Sequence, residues 1–286
     1  MLNERSVAAL ALARELGTCD RAHRNGRTLF DHLVGVANIA AAWKLPEYVC
    51  DASLFHSVYG TAVYRDAAAS VERRREVRAA IGSAAERLAF TFGSLDRTRF
   101  AAALARMDAP RAVALTTRFG SVEELSARDV ADLTLLAIVN EVEQHAAPDG
   151  SPANWRAVCR PLVAAVVRWN LADVPAFVRK TLTVSDADAE RAQTSYARGL
   201  EGVTADPGAA VAAFRFAAES PLSVGEPLVW LARLCTRAGD RGVAAAHTLE
   251  ARARFEAWGT PWDKRRTLAE WLEDGIGGRL GYPLGE

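Results

Sequence analysis

The sequence predicts an all-α protein of two domains. Three observations carry this. Ala, Leu, Arg and Glu dominate the composition, and all four are good helix formers. Apolar residues recur at helical spacing along most of the chain. No run of alternating β-branched residues stands out as a strand. A length of 286 residues corresponds to about two domains at roughly 150 residues each.

The elements follow in order. A first amphipathic helix is read over 1–16, with Asn3 as a cap. It carries Glu4, Arg5, Arg14 and Glu15 and lacks the basic start and apolar middle of a signal peptide. A polar stretch, 17–27, leads to a second helix over 29–43. A third begins at Pro46, a residue suited to a first helical turn, and ends near Ser57, ahead of the turn Tyr59-Gly60-Thr61. A longer helix covers 71–92, with Ser70 as its cap. Ser126 and Asp129 form a capping-box pattern for a helix over 127–146. Two prolines and a glycine within 147–152 mark a linker. The first domain is therefore set at 1–147 and the second at 153–286. The second opens with an apolar helix over 154–169, interrupted at Asp173-Val174-Pro175, and continues with a helix pair over 227–258. Trp258-Gly259-Thr260-Pro261-Trp262 reads as a turn capping the last hairpin, and 277–283 as a tail.

Lys+Arg and Asp+Glu number 35 each. A zero net charge argues against a non-specific binder of nucleic acid or of an anionic membrane, which needs a basic excess. No segment has the roughly 18 consecutive apolar residues of a membrane span. Cys19, Cys50, Cys159 and Cys235 are scattered, without a CxxC. They read as reduced thiols of a cytoplasmic protein and not as a zinc site.

Three of the five histidines fall within 23–61. On the second helix Leu29, His32, Leu33, Val36 and Ala40 share one stripe. On the third, Val49, Ala52, Ser53 and His56 do the same. Both His32 and His56 are expected to face inward from two consecutive helices and to meet there. Two interior imidazoles suit a transition metal, which binds them in the neutral form; a pair of hydrogen-bonded core histidines is the other reading. Arg73 and Arg74, in a basic cluster with Arg65, Arg75 and Arg78, are either a solvated helix face balanced by Glu72 and Glu76 or a subsite for an anion. Asn140 continues the stripe of Leu133, Leu136 and Ala137, with Glu143 one turn on. Buried polar groups need partners, so this face belongs either to a site or to a structural hydrogen bond.

The string His23-x-x-Gly26-x-Thr28-Leu29-x-Asp31-His32-Leu33, with Trp43, Pro46 and Leu54-Phe55-His56-Ser57-Val58-Tyr59-Gly60-Thr61 downstream, resembles the HD-domain superfamily. More closely it resembles an uncharacterised HD-like family with the pattern H-x-x-G-x-T-L-x-D-H-L … L-F-H-S-x-Y-G-T. The likeness extends through Ile81-Gly82 and Ala85-Glu86-Arg87-Leu88 to Asn140-Glu141-Val142-Glu143-Gln144, over about 20–145. It implies an HD-like helical bundle and a metal-dependent enzyme with an altered site, because Ser57 stands where HD enzymes carry the aspartate of a His-Asp pair. On that resemblance His32, His56 and Glu143 are the metal ligands, with iron, manganese or zinc as the ion. His23, His56, Ser57 and Tyr59 are the catalytic candidates. Arg27, Thr61, Arg73, Arg74 and Asn140 are the substrate-binding candidates, and Asp31 would orient His23 or pair with an arginine. A Ser57–His56 nucleophile–base pair is disfavoured, since neighbours on a helix diverge.

The second domain has a tetratricopeptide-like trace: Ala210, Phe214, Ala217 and Pro221 follow the second-helix pattern of such a repeat. Two function classes remain. One is an HD-like hydrolase, or an oxygenase with iron, acting on a small anionic molecule. The other is a catalytically inactive HD-like domain that binds a ligand or protein, with the C-terminal hairpins as an interaction surface.

Overall fold

The computed structural model describes residues 4–23, 26–61, 64–144, 152–181 and 183–277. Among these there are fourteen α-helices and one small antiparallel hairpin, so the protein is all-α. The chain divides into two compact units. One comprises Met1–Gln144 with Ala157–Val174, the other His145–Arg156 with Pro175–Glu286. The sequence places the boundary in the Pro/Gly-rich stretch 147–152, of which 147–151 lies outside the described residues. The units divide differently from that reading: the helix α8 (Pro152–Arg168) starts in the second and continues in the first, where Leu162, Val163 and Val166 are buried.

In the first unit, α1 (Glu4–Glu15) leads through a short 3-10 turn to α2 (Leu29–Ala42). The expected cap of α1, Asn3, lies outside the described residues. Thr28 starts α2 through a capping box. Its side chain accepts from the Asp31 N–H at 3.1 Å, while the Asp31 carboxylate accepts from the Thr28 N–H at 2.9 Å. Asp31 is thereby spent on the helix start, not on His23 or an arginine as expected. Helix α3 (Glu47–Phe55) packs against α2 and continues one residue further in helical backbone at its C-cap, His56.

The single helix expected over 71–92 is two. A 3-10 turn at Val71–Arg73 leads into α4 (Arg74–Ile81), and α5 (Ser83–Ser94) follows. Gly82 separates them at φ 86° and ψ 161°, a conformation open to glycine and closed to side-chain-bearing residues. Beyond α6 (Arg97–Leu104), the strands β1 (Val113–Thr116) and β2 (Val122–Leu125) pair antiparallel, a hairpin the sequence did not announce. Only Leu115 and Leu125 in it are buried, so the alternation is too short to register. Helix α7 (Ala127–Gln144) opens on the expected capping box, Ser126 with Asp129.

Helix α3 occupies the centre, packed by α2, α5, α7, α1 and α4. Val49, Ala52, Phe55, Leu33, Val36 and Leu133 are all fully buried there. Each of the larger side chains contributes about 1.5–3 kcal/mol relative to exposure. The same packing brings one end of α2, α3 and α7 together, and the histidines, Asn140 and Glu143 stand at that end.

The second unit stacks consecutive helices. After α9 (Ala176–Thr181), α10 (Asp186–Ala205) packs on α11 (Pro207–Glu219), α11 on α12 (Glu226–Arg237), α12 on α13 (Arg241–Trp258), and α13 on α14 (Leu268–Gly277). Ser185, Asp206 and Asp240 cap α10, α11 and α13 by accepting an N–H three residues on. Ala210, Phe214 and Ala217 face the core with Tyr196, Phe255 and Trp271. Trp258 and Trp262 are buried, the former donating Nε1–H to the Ser223 carbonyl at 3.2 Å, so the aromatic turn does close over the hairpins. Of the tail over 277–283, all but Gly277 lies outside the described residues. No helix among the described residues is long and apolar enough to cross a membrane. The four cysteines are free thiols.

Candidate functional site

Helix α2 supplies His32 (1% exposed), the end of α3 supplies His56 (0%), and α7 supplies Asn140 and Glu143 (1%). The expectation that both histidines face inward and meet holds in detail: their Nε2 atoms lie 3.1 Å apart. Each ring is oriented through its other nitrogen. His32 Nδ1 stands 2.5 Å from Glu143 Oε2, and His56 Nδ1 stands 2.7 Å from the Ser53 carbonyl. A carbonyl only accepts, so His56 carries its proton on Nδ1 and presents a bare Nε2. Burial first, and then the neighbouring His32, hold the His56 pKa well below the usual histidine value. Asn140 is fully buried on α7. Its Nδ2 donates to Glu141 Oε1 at 3.1 Å, and its Oδ1 accepts from Gln144 Nε2 at 3.3 Å.

Arg27 Nη1 lies 2.7 Å from Glu143 Oε1. Glu143 is thus a shared carboxylate, one oxygen on His32 and the other on Arg27. Its close fit has a local cause: a Cβ on Gly35 would lie 2.7 Å from Glu143 Oε1, so only glycine at that point of α2 leaves the space. Above His32, His23 stacks with ring centroids 4.2 Å apart and planes within 9°. Tyr64 lies 5.8 Å from His23, and Phe92 of α5 packs edge-on to His56 at 5.3 Å. His23, Arg27 and Tyr64 are partly exposed, while His32, His56 and Glu143 are buried. The polar cluster therefore runs from solvent inward.

The remaining candidates stand elsewhere. Arg73 pairs with Glu76 at 2.7 Å and with Glu15, and Arg74 pairs with Glu86 at 2.6 Å while lying 3.7 Å over the Phe90 ring. Glu86 is fully buried and also takes Arg78 at 3.1 Å and the Tyr59 hydroxyl at 3.4 Å. Tyr59 belongs to this ion-pair network, where burial and then Glu86 raise its pKa. Arg27, a further substrate-binding candidate, is held by Glu143. Thr61 Oγ1 accepts the Tyr64 N–H at 2.9 Å and shapes the loop after α3. Ser57 is buried in the turn behind His56, its carbonyl accepting the Gly60 N–H. Ser53, Gly35, Tyr64 and Phe92 complete the surroundings of the histidines without having been singled out for that role. A glycine within an apolar helical stripe, three residues from a histidine, is the one signal among them that the sequence displays.

A family model described as a domain of unknown function, DUF6817, matches residues 12–97. The matched span holds His23, Arg27, His32 and His56 and stops short of Asn140 and Glu143. No curated protein and no solved structure matches the chain.

Proposed function

We infer that the first unit is an HD-like metal-dependent enzyme for a small anionic molecule, with His32 and His56 as the ion's protein ligands. The observation that carries this reading is the 3.1 Å opposition of two Nε2 atoms. With Nδ1–H of His56 on the Ser53 carbonyl and Nδ1–H of His32 on the Glu143 carboxylate, two lone pairs face each other in a buried site. That arrangement requires a cation between or beside them, either a proton or a metal ion. Two nitrogens bound at about 2.0–2.1 Å to a tetrahedral zinc ion are about 3.3 Å apart, close to the spacing here. Histidines that hold metals donate their other N–H to a carboxylate or a backbone carbonyl, as both rings do.

The donor set thus fits a metal at two positions. Among the described residues no group of three His, Cys, Asp or Glu side chains is arranged around one point. Glu143, expected as a third ligand, has its oxygens turned to His32 and Arg27 and is better read as a positioning residue. Bound iron, manganese or zinc would supply Lewis acidity for hydrolysis, or oxygen chemistry in the case of iron. The chain's own work is separate. Ser53 fixes the His56 tautomer, Glu143 fixes that of His32, and Arg27 keeps a positive charge against the Glu143 carboxylate. His56, held neutral by burial, keeps its Nε2 lone pair available to the ion. His23, at the wetter end, is placed to exchange protons with solvent.

The test is the metal content of protein produced with iron, manganese and zinc supplied. Near-stoichiometric metal is expected in the native chain, and its loss in the His32→Ala/His56→Ala variant. Glu143→Gln is expected to weaken metal affinity by roughly 10–100-fold without abolishing it. Metal-free native protein would overturn the metalloenzyme reading in favour of a non-catalytic binding domain, and a folded double variant with unchanged metal would overturn the assignment of His32 and His56 as ligands.

A further inference from the structure

His56 is the C-cap of α3, one residue beyond the last regular turn, where helices fray. Its ring nevertheless has to stay opposite His32. The chain that follows it turns inside the first unit, with 56–61 all buried. Buried carbonyls need donors. Phe55 takes the Val58 N–H at 3.2 Å, Ser57 takes the Gly60 N–H at 2.9 Å, and Val58 takes those of Ala68 and Ala69 at 2.7 and 2.8 Å. All four donors are backbone groups of the same connection. The Tyr59 carbonyl is served differently. Its donor is Nη2 of Arg118 at 2.9 Å, from 59 residues further along the chain.

Arg118 stands in the tight turn between β1 and β2, which the Thr117 N–H closes onto the Ser121 carbonyl at 2.7 Å. That turn docks on the end of α5, where the Arg118 N–H donates to the Ser94 carbonyl at 2.7 Å. The guanidinium lies 4.2 Å from the centre of the Phe119 ring, and its Nε is shut off from solvent. A charged donor bonds a carbonyl more strongly than a neutral one. One residue thus ties the end of α5 to the turn after His56, by its backbone at one side and its side chain at the other.

Helix α5 meets the same turn directly. A Cβ on Gly93 would lie 2.7 Å from the Gly60 carbonyl oxygen and 3.7 Å from that of His56, so only glycine lets the two backbones come this close. The preceding residue, Phe92, packs edge-on against the His56 ring at 5.3 Å. Helix α5 therefore backs both the ring and the backbone of His56.

We propose that Arg118 is a positioning residue for His56, acting with Gly93: its guanidinium fastens the Tyr59 carbonyl to the end of α5 and so keeps the His56 ring opposite His32. This deepens the functional reading above, and it rests on that reading only for the use of Nε2 by an ion. The positioning itself is a property of the metal-free chain.

The ring 15N resonances of His56 in the metal-free full chain, assigned by their absence in His56→Ala, test it. The native ring is expected as one tautomer, protonated on Nδ1 with Nε2 bare. Arg118→Met keeps a long stem and loses the donor, and is expected to give mixed tautomers or a second set of signals. Arg118→Lys restores a donor and is expected to return the native signal. Gly93→Ala, with Arg118 in place, crowds the turn from α5 and is expected to shift the same resonances. Leu162→Ala removes a buried side chain of α8 in the same unit. It is expected to lower the melting temperature and leave the His56 signal unchanged, which separates positioning from a general loss of stability. In metal-loaded protein, Arg118→Met is expected to weaken metal affinity roughly tenfold. Native His56 resonances in folded Arg118→Met or in Gly93→Ala overturn the proposal, as do equal shifts in Arg118→Met, Arg118→Lys and Leu162→Ala. A native chain that holds no metal would overturn the metal assignment while leaving these resonances readable, so the two failures are distinguishable.

Discussion

Glu143 is held from three sides, by His32, Arg27 and the bare face of Gly35. The last is a steric condition, and it is the easiest to test. A Gly35→Ala methyl would sit 2.7 Å from Glu143 Oε1, inside van der Waals contact, so the carboxylate or the helix must move. Helix propensity favours alanine by about 1 kcal/mol, while overpacking a buried position costs about 1–3 kcal/mol. The expected outcome is a chain no more stable than the native one, with a visibly changed His32 environment. Urea unfolding and the histidine ring resonances would read both. An alanine variant that gained the full propensity benefit with an unchanged His32 signal would show that Glu143 is not so confined. Thr28→Ala is a useful contrast. It removes the cap of α2, with an expected loss of about 1 kcal/mol.

At the scale of elements, α12 is tied to the turn after α13 by one buried carboxyl. Glu226 Oε1 accepts the backbone N–H of Trp262 at 2.6 Å and of Asp263 at 3.0 Å, while Oε2 is buried without a hydrogen-bond partner. The charged and titratable groups around this turn are Asp263, Arg265, Tyr196 and Lys264. Burial, opposed by those backbone N–H groups and reinforced by Asp263, pushes the Glu226 pKa up to about 7. An unfolded glutamate titrates near about 4.3. Below the unfolded value the carboxyl is protonated in both states and imposes no penalty. As pH rises from there towards 7, the unfolded chain releases a proton that the folded chain retains, so stability falls. Above pH 7 both states are ionised and the loss is complete. It amounts to roughly 4 kcal/mol, since each tenfold difference in proton affinity between the two states is worth about 1.4 kcal/mol. Glu226→Gln keeps an acceptor for the two N–H groups and removes the titration. The second unit of this variant is therefore expected to lose less stability than the native chain between pH 5 and pH 8 in urea unfolding. Parallel pH dependences in the two proteins would sink this account.

For the molecule as a whole, the division of the chain makes a prediction about fragments. Residues 157–174 belong to the first unit, with Cys159, Ala165 and Val166 fully buried and Arg168 Nη2 donating to the Met107 carbonyl at 2.7 Å. A fragment cut at Gly150, the linker suggested by composition, loses this segment and exposes the surface it covers. A fragment ending at Val174 keeps it. The longer fragment should unfold cooperatively at a higher temperature than the shorter. Equal melting temperatures would mean that the segment contributes nothing to the first unit.

Local rules carried much of this structure. The inward stripes of α2 and α3 and the capping box at Ser126 follow from helical periodicity and side chain–backbone hydrogen bonds among near neighbours, so the all-α class and the meeting of His32 with His56 were legible in the sequence. The break at Gly82 was not, because helical periodicity continues across it and only the backbone angles of one residue interrupt it. The pairings also escaped it. Arg74 with Glu86, Arg27 with Glu143 and Arg118 with the Tyr59 carbonyl join positions 12, 116 and 59 residues apart, and charge alone does not say which partner a flexible arginine reaches. The sequence by itself therefore determined which faces are buried and which residues could do chemistry. Tertiary packing decided which charges are neutralised and by which partner, because that depends on distances set only when α2, α3, α5 and α7 close around one another.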